Sequence, residues 1–361
     1  MLFKEIFKVQ YEVFKILVRW LKSDLGKEKY RDTPFFHWRH NRRRSSMDTK
    51  TAVACGVLYL FGQGTLTEKA ALLRVPRPTF TRVANMVVDE LVLRTSEVIR
   101  IPPMSEQVFL KCRRTGKPFP GAVFALDGTL CKLKVKGRRN DFYCRKGFAC
   151  LNVQVMCDWN MNLVHVDSNF PGRTQDNDMF ESSGLPALLN GPHSLLRPGC
   201  FVVADEGYAT CGRVMRPYDK NSNEIDKKLF NLLFKSTRLI IENAIGAWKQ
   251  KCPLLNEGLH KMNPEELAEA IQASAVLYQF CKTAEEELVG SEATAYLSQT
   301  FTVPDAFLNK ETPELRDYLL DYFVYHYPRA YSALCLMHNN PGVNLRSSCL
   351  CLTNQSGSLD T

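Results

Sequence analysis

The sequence predicts a mixed α/β protein with an all-helical front, and three observations predict it. Between Thr51 and about Val98, apolar residues recur at helical spacing with no strand-like stretch among them. From Ala122 to Val166 the period shortens to two, in short runs bounded by polar turns. Beyond that, the apolar strand Gly199–Ala204 and the long amphipathic helix expected over Asp226–Gln250 follow one another, which places helices beside a sheet.

The elements follow in chain order. Phe3, Phe7, Phe14, Leu17, Val18 and Leu21 predict one amphipathic helix over residues 2–21. A basic cluster, Arg39 to Arg44, lies in the loop that follows and suits a nuclear localisation signal, a phosphate-contacting arm or a solvated charge run. Ala52–Phe61 reads as a buried helix ended by Gly62 and Gly64. Thr65-Leu-Thr-Glu68 has the form of a capping box and starts a short helix to Leu73. After a turn over Arg74–Arg77, Pro78 suits the first position of the next helix. There Phe80, Val83, Ala84, Val87, Val88 and Leu91 form one apolar face, while Thr79, Thr81, Arg82 and Asn85 lie on the other. Those four polar types reach phosphates and base edges, so the pair is a helix-turn-helix candidate for DNA; an ordinary helical hairpin has the same spacing.

Residues 101–120 are a proline-rich linker. Ala122–Leu126 is a buried strand expected to end at the turn Asp127-Gly128, and Leu130–Val135 a second strand. Asn152–Cys157 and Leu163–Val166 alternate as two more around a turn at Asp158–Asn162. A helix opens over Thr174–Phe180, another covers residues 264–283, and Ser, Asn, Gly and Thr dominate the end.

Net charge is +9, made up of +7, +5 and +4 over residues 1–50, 51–120 and 121–250, against −7 over 251–361. A basic front and middle fit an anionic partner. The longest apolar run, Ala52–Phe61, is too short to span a bilayer, which takes about 20 residues. Charges interrupt the first 22 residues, so no secretory signal is expected. Thirteen cysteines without a CxxC pair predict free thiols in a soluble, intracellular chain, and seven scattered histidines argue against zinc. No Walker lysine, nucleophile elbow or glycine-rich phosphate loop is present.

Three carboxylates stand out. Asp127 and Asp205 are expected at strand ends, and Glu242 lies within an apolar helical stretch. Singly, each also suits a turn former, a cap or an exposed helix residue. Together, strand-end acids project to one edge of a sheet, and a helix crossing that edge delivers a third. Three such acids need a divalent cation, and hard oxygen ligands suit Mg²⁺ or Mn²⁺. Two ions about 4 Å apart would serve phosphodiester hydrolysis.

Residues 121–281 resemble the catalytic domain of the Harbinger/PIF-type transposases and the nucleases derived from them, a branch of the DDE superfamily. The segments that carry the resemblance are Ala125-Leu-Asp127-Gly-Thr129, Phe142-Tyr-Cys-Arg-Lys-Gly-Phe148, Leu151–Asp158, Phe170-Pro-Gly-Arg-Thr-Gln-Asp-Asn-Asp-Met-Phe180, Ala204-Asp-Glu-Gly-Tyr208 and Ile240-Ile-Glu242-Asn-Ala-Ile-Gly246-Ala-Trp-Lys249. The resemblance implies an RNase H-like mixed sheet with flanking helices and carries the acid triad onto Asp127, Asp205 and Glu242. Residues 51–100 resemble the helix-turn-helix that precedes this domain in the family. The chain departs from the family at Leu130 and Gln175, where His is common, at Cys144, where Asn is common, and at Asn243, where Arg is favoured.

The expected organisation is an amphipathic helix and basic loop (1–50), a helix-turn-helix (51–100), a linker (101–120), the catalytic domain (121–283), a helical extension (284–344) and a disordered tail (345–361). The expected function is a metal-dependent DNA endonuclease of transposase origin. The alternative is a catalytically silent DNA-binding or adaptor protein that keeps the fold. Asp176 either orients the site or caps its helix; Lys249 is placed to reach substrate; Arg145 and Lys146 are placed to hold DNA phosphates or to form a solvated hairpin. By family analogy the protein acts in the nucleus, with the cytoplasm as a second possibility, and has a Myb-like DNA-binding partner; a homo-oligomer is compatible with the sequence.

Overall fold

The computed structural model describes residues 2–23, 34–35, 47–102, 119, 121–134, 140–190, 194–210, 212–257, 263–289 and 312–339. The basic cluster at 39–44, most of the 101–120 linker and the 345–361 tail lie outside the described residues. The chain divides into two compact units, each assembled from separate stretches of sequence. The first comprises residues 1–101, 128–175 and 242–300, and the second 102–127, 176–241 and 301–361. Among the described residues, no helix is long and apolar enough to cross a membrane.

The first unit opens with α1 (Leu2–Phe7) and α2 (Tyr11–Ser23), two helices where the sequence predicts one. Lys8 has φ +57°, a left-handed conformation that stops α1. The break lets Phe3, Phe7 and Phe14 share one aromatic cluster, with Phe3 stacked on Phe7 at 4.3 Å and 5.3 Å from Phe14. Next come α3 (Thr49–Phe61), α4 (Leu66–Leu72) and α5 (Arg77–Leu93), followed by the short α6 (Thr95–Val98). Asp48 caps α3, and the reciprocal Thr65–Glu68 capping box starts α4 as its sequence predicts. The turn spans Leu73–Pro76 and α5 starts at Arg77, so Pro78 takes the second helical position instead of the first; both lie in the first turn, where a missing N–H costs nothing.

All six residues of the predicted apolar face of α5 are buried, packed against α3 and against α11 (Pro264–Val289). Where α3 meets α5 the backbones approach closely: a Cβ on Gly56 would stand 2.4 Å from Val87 Cγ1 and 2.7 Å from Val87 Cβ. A branched side chain cannot swing clear of its own Cβ. Gly56→Ala is therefore expected to lower stability by about 1–3 kcal/mol through overpacking, seen as a lower midpoint in thermal unfolding; an unchanged midpoint would show that the helices can separate without loss.

The sheet has the strand order β3-β2-β1-β4-β5. Its strands are β1 (Ala122–Lys132), β2 (Cys150–Cys157), β3 (Leu163–Pro171), β4 (Phe201–Val203) and β5 (Val214–Met215). β2 and β3 are antiparallel across a turn in which Asp158 accepts from the backbone N–H groups of Asn160 and Asn162; β1, β4 and β5 run parallel. This mixed sheet with flanking helices is consistent with the RNase H-like expectation.

Strand β1 corrects one expectation. The sequence suggests a strand ending at Asp127-Gly128 and a new one from Leu130, but a single strand of 11 residues runs through both. Gly128 is not among the glycines with positive φ. The pair Asp-Gly permits a turn without imposing one, and the neighbours decide. Residues 122–126 are all buried; beyond them Thr129, Cys131 and Leu133 are buried while Lys132 and Lys134 are exposed, so the strand continues as a one-sided ladder.

In the second unit, α7 (Asp176–Ser182) and α8 (Leu185–Leu189) precede β4. The first part of α9 (Ile225–Lys251) follows β5. Beyond α9 the chain forms α10 (Leu254–Glu257), and α12 (Thr312–His326) and α13 (Pro328–Asn339) lie after α11. An aromatic core ties this unit together: Phe119 meets Phe230, Phe234 and Phe323 edge-on at 5.2, 5.3 and 4.7 Å. Tyr218 adds a lock, donating to Asp317 at 2.6 Å under the Arg316 guanidinium. The nine described cysteines are free thiols, eight of them buried, which agrees with their use as small apolar residues.

Candidate active site

The second unit sets two acids side by side. β1 and β4 begin in close contact, because Gly121 lacks a Cβ that would stand 2.3 Å from the Gly199 carbonyl oxygen. Parallel pairing then matches Phe124 with Val202 and Ala125 with Val203. Asp127 lies two residues beyond Ala125 within β1, and Asp205 two residues past Val203, where β4 ends. That end of a parallel pair is where α/β sheets receive their ligands.

Behind Asp205 the chain turns sharply. Its Oδ1 accepts from the Gly207 N–H at 2.8 Å, and the buried Tyr208 ring packs edge-on against Phe180 of α7. Asn177 Oδ1 accepts from the Ala209 N–H at 3.0 Å, so this loop and the start of α7 hold each other. Asp176, the first residue of α7, is thereby brought beside Asp205. A Cβ built on Gly207 would lie 2.8 Å from Asp176 Oδ2 and 3.0 Å from Asp205 Oδ1. Two carboxylates thus stand over one glycine, and a side chain there would press on both. Asp176 also complements the positive end of α7, so the two roles open to it in the sequence are compatible.

The structure gives Asp127 a partner that the sequence does not reveal. Arg238 on α9 donates from Nη1 to Asp127 Oδ2 at 2.7 Å, the side chains 20% and 17% exposed. Glu242 follows Arg238 by one turn on the same face of α9 and is exposed. Arg238 is legible in hindsight as the basic residue four before Glu242 in an otherwise apolar stretch. That spacing ordinarily signals an intrahelical pair, not a partner 111 residues away.

The other expected site residues lie in the first unit. Lys249 Nζ donates to the Leu130 carbonyl at 3.0 Å, tying the end of α9 to β1. Arg145 and Lys146 are exposed at the tip of a tight turn, closed by Gly147 N–H to Cys144 carbonyl at 2.9 Å, with Gly147 at φ +82°. On α5, Arg82 and Asn85 are exposed, while Thr79 and Thr81 are half-buried and Thr81 Oγ1 donates to the Arg77 carbonyl.

Among the described residues, no group of three or more His, Cys, Asp or Glu side chains is arranged to hold a metal ion. The donors that do converge nevertheless fit a hard divalent cation. Asp176 and Asp205 approach one point with carboxylate oxygens, and Asp127 lies two residues beyond Ala125, the partner of Val203. Paired carboxylates repel unless a cation lies between them, and all-oxygen donors select magnesium or manganese over zinc.

Known proteins resemble the chain over the stretch that contains these residues. Residues 126–279 match the family described as DDE superfamily endonuclease. The chain is 22% identical over 246 residues to the protein named "Putative nuclease HARBI1" from Homo sapiens, covering 66% of this chain and 69% of that protein. The Bos taurus and Rattus norvegicus proteins of the same name match at 22% and 21% over the same shares of each chain. No solved structure matches the chain significantly. Residues 126–279 of this chain thus carry the sequence pattern of the DDE superfamily endonucleases, and the chain is similar to proteins named as nucleases.

Proposed function

We propose that the chain is a metal-dependent DNA endonuclease whose site is built on Asp127, Asp205 and Glu242, with Asp176 beside Asp205. The observation that carries this reading is the position of Asp127 and Asp205 two residues beyond the paired Ala125 and Val203 of neighbouring parallel strands, with Asp176 beside Asp205. Mg²⁺ or Mn²⁺, when bound, would supply charge neutralisation of the phosphodiester and an acidified water or hydroxyl nucleophile. Asp127 and Asp205 would hold it with carboxylate oxygens, and Glu242 is the third acid that the sequence supplies. Asp176 would set the orientation of Asp205 across Gly207. The basic first two-thirds of the sequence supplies the attraction for DNA. The test is nicking of supercoiled plasmid by purified protein in Mg²⁺ or Mn²⁺, with a chelator control. Metal-dependent nicking is expected; a folded protein that binds duplex and never cuts would favour the silent DNA-binding alternative.

The helix pair α4–α5 is the proposed DNA-reading element, on the strength of its exposed Arg82 and Asn85. Both variants keep the buried face of α5 intact. Arg82→Ala is expected to weaken duplex binding across all sequences and reduce the salt dependence by about one counterion, whereas Asn85→Ala should change sequence preference more than the salt slope. Fluorescence anisotropy against salt concentration checks both.

A further inference from the structure

We propose that Arg238 is a built-in counter-ion for Asp127, one that a divalent cation must displace and that a substrate phosphate then receives. The inference rests on the metal-site reading above and adds to it a means by which DNA and metal regulate each other's binding.

Four observations lead to it. The Arg238–Asp127 pair is short, 2.7 Å, and mostly withdrawn from water. It joins two elements distant in sequence, β1 and α9, so it is not a by-product of helix spacing. Asp127 follows five buried residues, Ala122–Leu126, and its own side chain is mostly withdrawn from water, so its carboxylate gains from a positive partner. Finally, Arg238 stands one turn before Glu242, on the helix face that the proposed site uses.

A guanidinium stays protonated at any pH the protein survives, so pH cannot switch this partner off. A divalent cation approaching Asp127 meets a positive charge already against the carboxylate. Metal binding without DNA is therefore weakened. A DNA phosphate changes that balance, because the planar fork of Arg238 can leave Asp127 and take two phosphate oxygens in a bidentate contact. Metal and DNA then bind cooperatively, each raising the affinity of the other by the same factor. Such a device would keep a nuclease poorly loaded with metal until substrate arrives.

The experiment is calorimetric titration of Mn²⁺ into the full-length wild type, Arg238→Gln and Asp205→Asn, each with and without a short phosphorothioate-linked DNA duplex. Without DNA, Arg238→Gln is expected to bind Mn²⁺ about tenfold more tightly than wild type. Wild type should tighten when duplex is added, and Arg238→Gln should not. Equal or weaker Mn²⁺ binding by Arg238→Gln would overturn the inference and leave Arg238 as a structural anchor, while the metal site itself would stand provided Asp205→Asn loses the ion. Mn²⁺ binding unaffected by Asp205→Asn would remove the metal-site reading and the inference with it. Should Arg238→Gln fold poorly, Arg238→Lys keeps the charge without the fork. It is expected to bind Mn²⁺ like wild type in the absence of DNA and to lose most of the tightening by duplex; full tightening would overturn the proposal.

Discussion

Asp205→Asn is expected to slow Mg²⁺-dependent plasmid nicking by about 10³-fold, the scale for removing one group that stabilises developing charge. The substitution is nearly isosteric. The asparagine oxygen can still accept from Gly207 N–H, as Asp205 Oδ1 does at 2.8 Å, so the turn after β4 should survive. The negative charge beside Asp176 disappears, and with it the need for a cation at that point. Circular dichroism and duplex affinity should therefore match wild type while cleavage is lost. Asp127→Asn makes the instructive contrast, because it also strands Arg238 in a mostly buried position. Loss of cleavage should there be accompanied by a lower unfolding temperature. Nicking at wild-type rate by Asp205→Asn would mean that the acids at this sheet edge are not the machinery of cleavage.

Much of the framework is legible from local pattern. The apolar stripe on α5, the Thr65–Glu68 box and the long helix α9 all follow from the spacing of residues within a few turns of each other, and all appear within a residue or two of their expected bounds. Asp205 is legible for the same reason: it ends a short apolar run. The misreadings arise where a remote contact decides. Asp127-Gly128 looks like a turn in isolation, yet it lies inside one continuous strand from Ala122 to Lys132. The single helix over 2–21 breaks at Lys8, where a cluster of three phenylalanines rewards the break. Lys249, expected two turns past Glu242 to reach substrate, has a partner that its spacing does not announce, a carbonyl 119 residues earlier in the chain. Arg238 belongs to the same class. Counter-ions are chosen by the fold, and no periodicity announces them.

The same dependence on distant partners gives the largest stability effect. Glu90 in the last turn of α5 and Arg94 at its C-cap are 2% and 1% exposed and paired at 2.6 Å, with Arg94 Nε also donating to Glu90 at 3.0 Å. Arg94 reaches further, donating to the Trp20 carbonyl of α2 at 3.4 Å with its guanidinium 5.0 Å from the Trp20 ring centre. Glu90→Ala removes a carboxylate from beneath a guanidinium that has no route to water. A loss of about 3–5 kcal/mol is expected, which corresponds to a fall in unfolding temperature on the order of 10 °C. The double variant Glu90→Leu with Arg94→Met is the decisive companion. Replacing both charges by apolar groups of similar length removes the cost of burying them, so the double variant should recover most of the stability that Glu90→Ala loses. If it proved as unstable as Glu90→Ala, the tie between Arg94 and Trp20 would be the stronger element, and the ion pair on α5 would serve chiefly to aim it.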